Sequence, residues 1–368
     1  MNYNTENDLI KFLKKIDRKK KFIITGKKSY NNSGANKFFE KYFNKNTNFF
    51  FKRENIPTLS ELKKIIISLK KFNPDIIFAI GGGSVMDYAK IANNLNDLDN
   101  LRKNIIFSKK KFRKISKLIA IPTTAGSGSE VTSGAVIYIN KIKYSVDGKE
   151  IIPDNFFLVP KFIIKNNRKL KISSGFDAIS QAIESLISLK SNQKSLIYAK
   201  KSLKLSLDNY LNFINKPNFK NSFEMSLGAN LAGKAIAISK TTAPHAVSYP
   251  LTSHFGISHG NAVSITLDDF LLFNYLNLEK SLSKFDLKKR YNLLFRLTNS
   301  KNIFELIEFI KDLKKKSGTE DGFNKLNLKK EIVLPKIMSG VNLMRLSNNP
   351  INLKIEDLKF ILSNRFTK

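Results

Sequence analysis

All three histidines of the 368-residue chain fall within residues 240–262, which read KTTAPHAVSYPLTSHFGISHGNA. Two of them stand in distinctive settings, since His245 follows Thr-Thr-Ala-Pro and His259 begins a His-Gly pair before an apolar run. Imidazole is a common metal ligand and a general acid or base near neutral pH. A histidine among apolar neighbours is also often a core or loop residue, so the rest of the chain has to decide between these interpretations.

A second group of polar side chains lies upstream of the histidines. Residues 176–184, FDAISQAIE, predict a helix on which Asp177 and Gln181 stand four positions apart, so their oxygens leave one face one turn apart. One carboxylate, one amide oxygen and the imidazoles of His245 and His259 can close around a divalent cation. The sequence therefore predicts a metal site with nitrogen and oxygen ligands.

The composition is that of a folded protein. Hydrophobic residues make up 42% of the chain and aromatic residues 11%, and the length suits two domains that each bury a core. The chain has no cysteine, which excludes disulfides, thiolate catalysis and cysteine-ligated metals. The N-terminal residues lack an apolar signal core and no long apolar run occurs, so we expect a cytoplasmic protein without a membrane partner.

The net charge of +34 at pH 7 invites a nucleic-acid interpretation. The lysines are scattered along the chain, however, and no zinc knuckle, RNA-binding sheet signature or basic zipper accompanies them. Dense runs occur only over short stretches such as 109–111 and 314–316, which are typical of solvated faces or turns. We therefore expect a small molecule as the partner of this chain and not a nucleic acid.

The first half of the sequence alternates strand and helix patterns. Apolar runs predict strands at 21–25, 48–51, 75–80 and 118–121. Helical spacing, with a loop between the first strand and the first helix, predicts helices at 34–43, 59–69 and 85–93. This alternation predicts a Rossmann-like α/β domain with a parallel sheet and helices on its faces.

Two glycine-rich loops follow neighbouring strands. Gly81-Gly82-Gly83-Ser84 joins a strand to a helix whose N-terminus offers free N–H groups to a pyrophosphate, although it is not the G-x-G-x-x-G fingerprint. The second loop, PTTAGSGSEVT at 122–132, offers small hydroxyl groups for phosphates and ribose. Either loop alone is also consistent with a tight turn that needs glycine. Together they predict opposite walls of one cleft at the C-terminal edge of the sheet.

The sequence pattern changes from strand-like runs to helical periodicity in the second half. Further strands are predicted at 135–139, 144–146 and 156–159. From residue 173 onward helical periodicity dominates, with breaks predicted at Lys216-Pro217, Pro250 and Ser317-Gly318. We therefore predict an α/β dinucleotide-binding domain over 1–165 and an all-helical metal and substrate domain over 166–368.

Four separated blocks of this chain resemble the iron-containing, group III alcohol dehydrogenases, which share the dehydroquinate synthase-like fold. GGGSVMDYAK at 81–90 and PTTAGSGSEVT at 122–132 look like the two nucleotide loops of the family. FDAISQAIES at 176–185 and the segment 241–260 look like its two metal-ligand blocks. The resemblance implies a nucleotide-binding α/β domain, an all-helical metal domain, and a substrate held between the metal and the nicotinamide.

The resemblance also implies a ligand set, which in the family is one Asp and three His. Carried over by position, the ligands are Asp177, His245 and His259, and the remaining His position is Gln181 here. A neutral amide oxygen is a weaker ligand than imidazole, so the identity of the metal stays open. The resemblance implies Fe²⁺ as the usual metal, and Zn²⁺ and other divalent ions also suit such a ligand set. A further family His near the nicotinamide is replaced by Tyr249, a candidate proton donor, with a relay through water or a ribose hydroxyl as the alternative. His254 matches no ligand position and is interpreted as a loop residue, with an outer role in substrate binding as the alternative.

The same resemblance assigns the residues that hold the cofactor. Where NAD-preferring members often carry an Asp after the first strand, this chain has Gly26 followed by Lys27 and Lys28, which predicts NADPH over NADH. The alternative is that these lysines only reflect the general lysine excess. The further cofactor-binding candidates are Gly81, Gly82, Gly83, Ser84, Asp87, Thr123, Thr124, Ser127 and Lys143.

Within the family, the blocks DAISQAIES and 240–260 together with Asn348-Asn349-Pro350 most resemble the phosphonoacetaldehyde reductase branch. This implies metal-dependent, NAD(P)H-linked reduction of a small aldehyde to a primary alcohol, with phosphonoacetaldehyde and 2-hydroxyethylphosphonate as the pair. Lys240 and Lys143 are candidate contacts of the phosphonate. Family members are commonly dimers or larger, so a homo-oligomer is expected.

Three alternatives stay open at the level of the sequence. A sister enzyme of the same fold could act on another small aldehyde, ketone or polyol. A dehydroquinate synthase-like lyase would use NAD without net redox change. An inactive or nucleic-acid-binding relative would follow from the high charge and the lost histidine ligand.

Overall fold

The computed structural model describes residues 5–107, 112–319 and 321–366. The chain divides into two compact units, of which the first comprises residues 1–167 and 217–230 and the second comprises 168–216 and 231–368. The lysine run at 109–111 lies outside the described residues. None of the described helices is long and apolar enough to cross a membrane.

The first unit contains seven strands and seven α-helices among its described residues, apart from the start of a later helix. The strands are β1 (Lys21–Gly26), β2 (Thr47–Lys52), β3 (Ile76–Gly81), β4 (Lys117–Pro122), β5 (Gly134–Ile139), β6 (Ile142–Asp147) and β7 (Asn155–Phe156). The helices are α1 (Glu6–Lys15), α2 (Lys27–Asn32), α3 (Ala35–Phe39), α4 (Leu59–Phe72), α5 (Gly83–Asn94), α6 (Leu101–Ile106) and α7 (Lys161–Ile164).

Five of these strands form one parallel sheet in the order β2-β1-β3-β4-β7. The chain runs from β1 outward to β2 and then returns to place β3 on the other side of β1. Such a reversal of strand order opens a crevice at the carboxyl ends of the two central strands, where doubly wound proteins bind nucleotides. The predicted Rossmann-like α/β domain is confirmed.

Alternate residues of the central strands face two separate apolar cores. Phe22 and Ile24 of β1 pack with α4 and α5 on one face, whereas Ile23 packs with α1, α3 and α7 on the other. All six residues of β1 and of β3 are buried, because helices cover both faces of the sheet. The core of this unit is therefore two layers that share one sheet.

The strands β5 and β6 form a separate antiparallel hairpin. Its two-residue turn, Asn140-Lys141, has positive φ angles of 52° and 65°, which is the backbone geometry of a type I′ hairpin turn. This twist matches the twist of the flanking strands, which is why the turn tolerates a lysine in the left-handed region. The hairpin carries Lys143, one of the predicted cofactor contacts.

The second unit is helical among its described residues. Its helices are α8 (Arg168–Ile187), α9 (Gln193–Asn215), α11 (Ala243–Phe255), α12 (His259–Leu276), α13 (Leu287–Thr298), α14 (Ile303–Ser317), α15 (Lys330–Gly340), α16 (Leu343–Leu346) and α17 (Ile355–Ser363), with α10 (Phe219–Ser239) belonging partly to each unit. Apolar residues of α11, α12, α15 and α17 share one core. The predicted all-helical C-terminal fold is confirmed.

A buried ionic network ties the C-terminus of this unit to α12 and α14. Asp268 accepts hydrogen bonds from Lys314 at 2.7 Å and from Arg365, and all three side chains are almost fully buried. Opposite charges hold the pKa of Asp268 below its usual range against the effect of burial, which would raise it. The expectation that the 314–316 run is a solvated face is therefore wrong for Lys314, because it neutralises a buried carboxylate.

Three local predictions in the first unit were only partly right. Residues 27–32, expected to be a loop, form α2, and the helix predicted from residue 34 starts at Ala35 and ends at Phe39. Gly34 separates the two helices with a positive φ of 77°, which glycine adopts freely. The strand predicted at 156–159 ends at Phe156, where its pairing with β4 ends, and Pro160 then caps α7.

Pro250 does not break the helix in which it lies, contrary to the prediction. It sits inside α11, where its ring nitrogen cannot donate to the carbonyl of Ala246, four residues back. That carbonyl instead accepts the backbone N–H of Asn342 at 3.2 Å. The proline thus provides an acceptor by which the segment before α16 is attached to α11.

Candidate active site

Three helices of the second unit supply the polar residues singled out from the sequence. Asp177 and Gln181 lie in the middle of α8, His245 is the third residue of α11, and His259 is the first residue of α12. Asp177, Gln181 and His245 are buried. The beginnings of two helices and the centre of a third therefore converge on one place.

A close approach between α8 and α12 makes this convergence possible. A Cβ atom at Gly260 would lie 1.8 Å from the carbonyl oxygen of Ser173 and 3.1 Å from the Cβ of Asp177. No side chain fits there, so glycine at this position lets the N-terminus of α12 approach α8. This contact places His259 beside Asp177.

The side chains of Asp177, His245 and His259 form a cluster that fits a metal ion. Ligand atoms from the three residues all lie within 4.8 Å of one another, and the Nε2 atom of His245 is 3.3 Å from Oδ1 of Asp177. Burial raises the pKa of Asp177, but the two imidazoles and Gln181 outweigh it, so this pKa lies below its usual value. A carboxylate that stays ionised beside two imidazoles is a donor set for a divalent cation.

Gln181 offers the fourth ligand atom of this cluster. Its side chain hydrogen-bonds to Asp177, whereas its Oε1 atom is buried and has no hydrogen-bond partner. A buried amide oxygen without a partner is costly unless something binds it. The amide oxygen of Gln181 therefore fits the metal-ligand role that the sequence predicted for it.

Glu184, which the sequence analysis did not assign to the site, orients His245. Its Oε2 atom bonds to Nδ1 of His245, and its Oε1 atom accepts hydrogen bonds of 2.9 Å from both the backbone and the hydroxyl of Thr242. Burial alone would lower the pKa of His245, but Glu184 and Asp177 raise it to about 9. With Nδ1 held by Glu184, Nε2 is the atom of His245 that faces the cluster.

Tyr249 lies one helical turn after His245 and contacts the same cluster. Its ring stacks on that of His259 with centroids 5.6 Å apart and planes at 11°. Burial and Glu184 raise the pKa of the phenol to about 12, although the Arg345 guanidinium and the Thr241 hydroxyl act in the opposite direction. The phenol therefore stays protonated near neutral pH.

Two other residues of the histidine segment, His254 and Lys240, are not among the residues of this cluster. His254 is in the last turn of α11 and not in a loop as predicted, because α11 continues through Pro250 to Phe255. Lys240, a candidate contact of the substrate, lies between α10 and α11 with a φ of 61°, an uncommon conformation for a residue with a side chain.

The two glycine-rich loops meet in the first unit. A Cβ atom at Gly82 would lie 3.3 Å from the hydroxyl of Thr124, and one at Gly83 would lie 3.0 Å from the hydroxyl of Ser127. Gly82 precedes α5 without a side-chain cap, so the first N–H groups of this helix are left for another acceptor. Ser84 follows within the same first turn.

Thr123 of the second loop is almost fully buried, whereas Thr124 and Ser127 of the same loop are half-buried. Its backbone N–H donates to Gly81 at 3.0 Å, and its carbonyl accepts a hydrogen bond of 2.6 Å from Asn166. Its side chain is therefore less accessible than those of the other residues predicted to bind the cofactor.

Asp87 and Lys143 interact within the first unit. Burial raises the pKa of Asp87 to about 6, opposed by the charges of Lys90 and Lys143. Lys90 is itself buried and donates to the carbonyls of Thr132 and Gly134 at 2.8 and 2.9 Å. The pair Asp87 and Lys90 thereby connects α5 to the end of the second loop.

The cofactor-preference residues lie at the carboxyl end of β1. Gly26 is the last residue of this strand, and Lys27 and Lys28 are the first two residues of α2 with exposed side chains. Because β1 pairs with β3, these residues lie at the point of the sheet where the strand order reverses and a crevice is expected.

Comparison with known proteins decides the family. Residues 2–160 match the family described as iron-containing alcohol dehydrogenase, and residues 171–366 match the description "Fe-containing alcohol dehydrogenase family, C-terminal". The chain belongs to the iron-containing alcohol dehydrogenase family. The resemblance stated from the sequence is thereby confirmed, and members of this family use NAD(P) and a divalent metal.

Two of the curated relatives bear names that specify an anionic substrate. A phosphonoacetaldehyde reductase of Streptomyces viridochromogenes is 30% identical over 219 residues, which is 56% of this chain and 55% of that protein. A 4-hydroxybutyrate dehydrogenase of Clostridium kluyveri is 30% identical over 268 residues, which is 71% of this chain and 70% of that protein. The match thus spans little more than half of the first relative.

Solved structures agree with the fold. The crystal structure of sulfoacetaldehyde reductase from Bifidobacterium kashiwanohense in complex with NAD⁺ matches with a TM-score of 0.85 at 24% identity. The match covers 100% of this chain and 96% of that one. This likeness agrees with a fold that combines a parallel sheet in the first half with helices in the second.

Two residues of the site were not predicted from the sequence. Glu184 could have been found, because it lies seven positions after Asp177 and therefore on the same face of α8. Arg345, whose guanidinium lies beside Tyr249, is almost a hundred residues away in the sequence and belongs to a four-residue helix without a distinctive pattern. Only the packing of the segment 342–349 against α11 reveals it.

Proposed function

We propose that this protein reduces a small aldehyde to a primary alcohol with NAD(P)H and a divalent metal, and that its substrate pair is phosphonoacetaldehyde and 2-hydroxyethylphosphonate. The proposal rests mainly on the cluster of candidate metal ligands. In a member of the iron-containing alcohol dehydrogenase family, Asp177, His245 and His259 converge within 4.8 Å, and the buried oxygen of Gln181 lacks a partner beside them.

The chemistry follows from what each residue contributes. Asp177, Gln181, His245 and His259 would hold the metal, and Glu184 keeps Nε2 of His245 turned toward it. A metal bound there supplies Lewis acidity at the aldehyde oxygen, and the reduced nicotinamide supplies the hydride. Tyr249 then donates a proton from its hydroxyl, so that aldehyde, NAD(P)H and one proton give alcohol and NAD(P)⁺.

The cofactor would be held by the paired loops of the first unit. The uncapped N-terminus of α5 and the hydroxyls of Thr124 and Ser127 suit a pyrophosphate. Gly26, Lys27 and Lys28 supply no carboxylate for the ribose hydroxyls and two ammonium groups for a 2′-phosphate, which supports NADPH as the preferred cofactor. Fe²⁺ is the metal expected, and Zn²⁺ suits the same ligands.

The names of two relatives support an anionic substrate. Phosphonoacetaldehyde carries a phosphonate and 4-hydroxybutyrate a carboxylate, in each case away from the carbon that is oxidised or reduced. Both relatives are 30% identical to this chain, so the class of substrate is better supported than either compound. The cytoplasmic location and the homo-oligomeric state expected from the sequence stay predictions.

The deciding experiment is cofactor oxidation, followed by absorbance, in protein reconstituted with Fe²⁺ or Zn²⁺. Phosphonoacetaldehyde is compared with short uncharged aldehydes, and both NADPH and NADH are supplied. Turnover that is strong with phosphonoacetaldehyde and weak with the uncharged aldehydes supports the proposal. Equal turnover with all aldehydes would retain the reductase and reject the substrate. No turnover with either metal would reject the proposed reaction.

A further inference from the structure

Arg345 is held against the candidate active site by a set of backbone contacts. Its own N–H donates to Oδ1 of Asn342 at 2.9 Å, which caps α16. The N–H of Asn342 in turn donates at 3.2 Å to the carbonyl of Ala246, the acceptor that Pro250 leaves available in α11. The position of α16 is therefore defined relative to the helix that carries His245 and Tyr249.

A second contact fixes the other end of this segment. The side chain of Asn348 donates to the carbonyl of Thr241 at 3.2 Å, and its backbone carbonyl accepts the N–H of Leu189 at 2.9 Å. Asn348 is almost fully buried, so these hydrogen bonds are shielded from water. Arg345 therefore lies between two anchored points and is not part of a freely moving loop.

The guanidinium of Arg345 faces the hydroxyl of Tyr249. Its charge and its hydrogen bond both act to lower the pKa of that phenol, which requires the two groups to be close. The Tyr249 ring stacks on His259, one of the candidate metal ligands. A single phenol side chain thus connects the metal ligands to this arginine.

No carboxylate of the described residues neutralises the charge of Arg345. Within residues 5–107, 112–319 and 321–366, no carboxylate forms an ion pair with it, although its side chain is half-buried. Two fully buried cations of this unit, Lys314 and Arg365, both pair with Asp268. Tyr249 offers no compensating charge, because a phenol is neutral near pH 7.

A half-buried arginine without a carboxylate partner is suited to bind the anionic group of a substrate. Its planar fork binds the oxygens of phosphonate, sulfonate or carboxylate groups through two parallel hydrogen bonds. Leaving a half-buried guanidinium without a carboxylate costs stability, which is offset when a ligand supplies the negative charge.

We propose that Arg345 binds the anionic group of the substrate and thereby selects short aldehydes that carry a phosphonate, sulfonate or carboxylate at the end opposite the carbonyl. The inference rests on the proposed reductase function and adds the residue that recognises the tail of the substrate. Arg345 joins Lys240 and Lys143, the candidates from the sequence, as a contact of this group.

The test compares three variants of the metal-reconstituted protein. Arg345→Met removes the charge, Arg345→Lys keeps it without the fork, and Arg296→Met removes an exposed arginine from the last turn of α13 as a control. KM and kcat are measured with phosphonoacetaldehyde, succinic semialdehyde and uncharged butanal. Independently of turnover, calorimetry measures the binding of unreactive 2-hydroxyethylphosphonate.

Arg345→Met is expected to raise KM for the two anionic aldehydes by about 10- to 100-fold, the loss typical of a charged hydrogen bond, and to weaken 2-hydroxyethylphosphonate binding equally. KM for butanal should change less than about threefold by comparison with that loss. Arg345→Lys should fall between, and Arg296→Met should match the wild type. Equal losses with butanal and the anionic aldehydes, or no loss with either, would overturn the inference.

Failure of the proposed function gives a different pattern. If the wild type reduces no aldehyde but binds 2-hydroxyethylphosphonate in a manner that depends on Arg345, the reductase proposal fails and the anion site stands. If the wild type reduces butanal well and neither binds 2-hydroxyethylphosphonate nor prefers anionic aldehydes, the reductase stands and the role of Arg345 is rejected.

Discussion

The phenol ring of Tyr249 lies parallel to the imidazole of His259, with 5.6 Å between their centroids, and its hydroxyl faces Arg345. The ring therefore packs on the metal-binding cluster while the hydroxyl is directed to a cation. Replacing the hydroxyl alone separates these two contributions, because phenylalanine retains the ring.

We expect Tyr249→Phe to lower kcat by about 100-fold if the phenol donates the proton, since general acid catalysis contributes at least that factor. Metal affinity should be unchanged because the stacked ring is retained. Steady-state kinetics with NADPH and a chelator competition measure the two quantities. A variant with wild-type kcat would show that the proton comes from water or from the cofactor ribose.

Glu184 is the residue on which the orientation of His245 depends. Glu184→Gln would place an amide where Glu184 now accepts hydrogen bonds from Thr242 and His245, so one donor would face another. Loss of such a carboxylate–histidine contact typically weakens metal binding by about 10- to 100-fold. Competition with a metal chelator measures this affinity. Glu308→Gln, at an exposed position of α14, is the matched control and should leave it unchanged.

Gln181 sets the strength of the metal site. Gln181→His would restore the third imidazole of the family and should tighten Zn²⁺ binding by about tenfold or more, because imidazole is a stronger ligand than an amide oxygen. Gln181→Leu, of similar size and without a donor atom, should weaken it. Equal Zn²⁺ affinity of all three proteins in a chelator competition would show that Gln181 does not contact the metal.

Gly260 controls the approach of α12 to α8. Gly260→Ala would place a methyl group 1.8 Å from a backbone oxygen, so the helices must separate, at a cost of about 3 kcal/mol. Gly256→Ala is the control, since nothing lies within 4 Å and only its positive φ of 70° costs about 1 kcal/mol. Urea unfolding should rank the control as the more stable of the two. The opposite ranking would contradict the packing described for these helices.

Gly26 tests the preference for NADPH. Gly26→Asp would add a carboxylate that binds ribose hydroxyls and repels a 2′-phosphate, so the ratio of kcat/KM for NADPH over NADH should fall by about tenfold or more. Gly26→Asn provides the same shape without charge and should change the ratio much less. A wild type that prefers NADH would contradict the prediction before any variant is made.

Much of the fold was predictable because its signals are local. The strands β1, β3 and β4 are apolar runs that end at glycine or proline, and their alternation with helices leaves few topologies for a parallel sheet. The candidate ligands Asp177, Gln181, His245 and His259 were likewise identified from their sequence blocks. Their ligand roles and the cofactor residues stay predictions until metal and cofactor binding are measured.

Other features depend on contacts between distant residues and were missed. Pro250 was expected to end a helix, but the carbonyl it leaves unpaired is satisfied by Asn342, more than ninety residues later. Lys314 was expected to be solvated, but Asp268 makes its burial favourable. In both cases a hydrogen-bond or ion-pair partner from a distant part of the sequence stabilises an arrangement that the local sequence disfavours.

The sequence by itself therefore determined the family, the parallel sheet, the helical second half and a set of metal-ligand candidates, because apolar spacing and short motifs are written in adjacent residues. Only the tertiary structure brought Glu184 to His245 and the guanidinium of Arg345 to Tyr249. These pairings arise from helix packing, in which a glycine contact and a few buried hydrogen bonds set distances that no local pattern encodes.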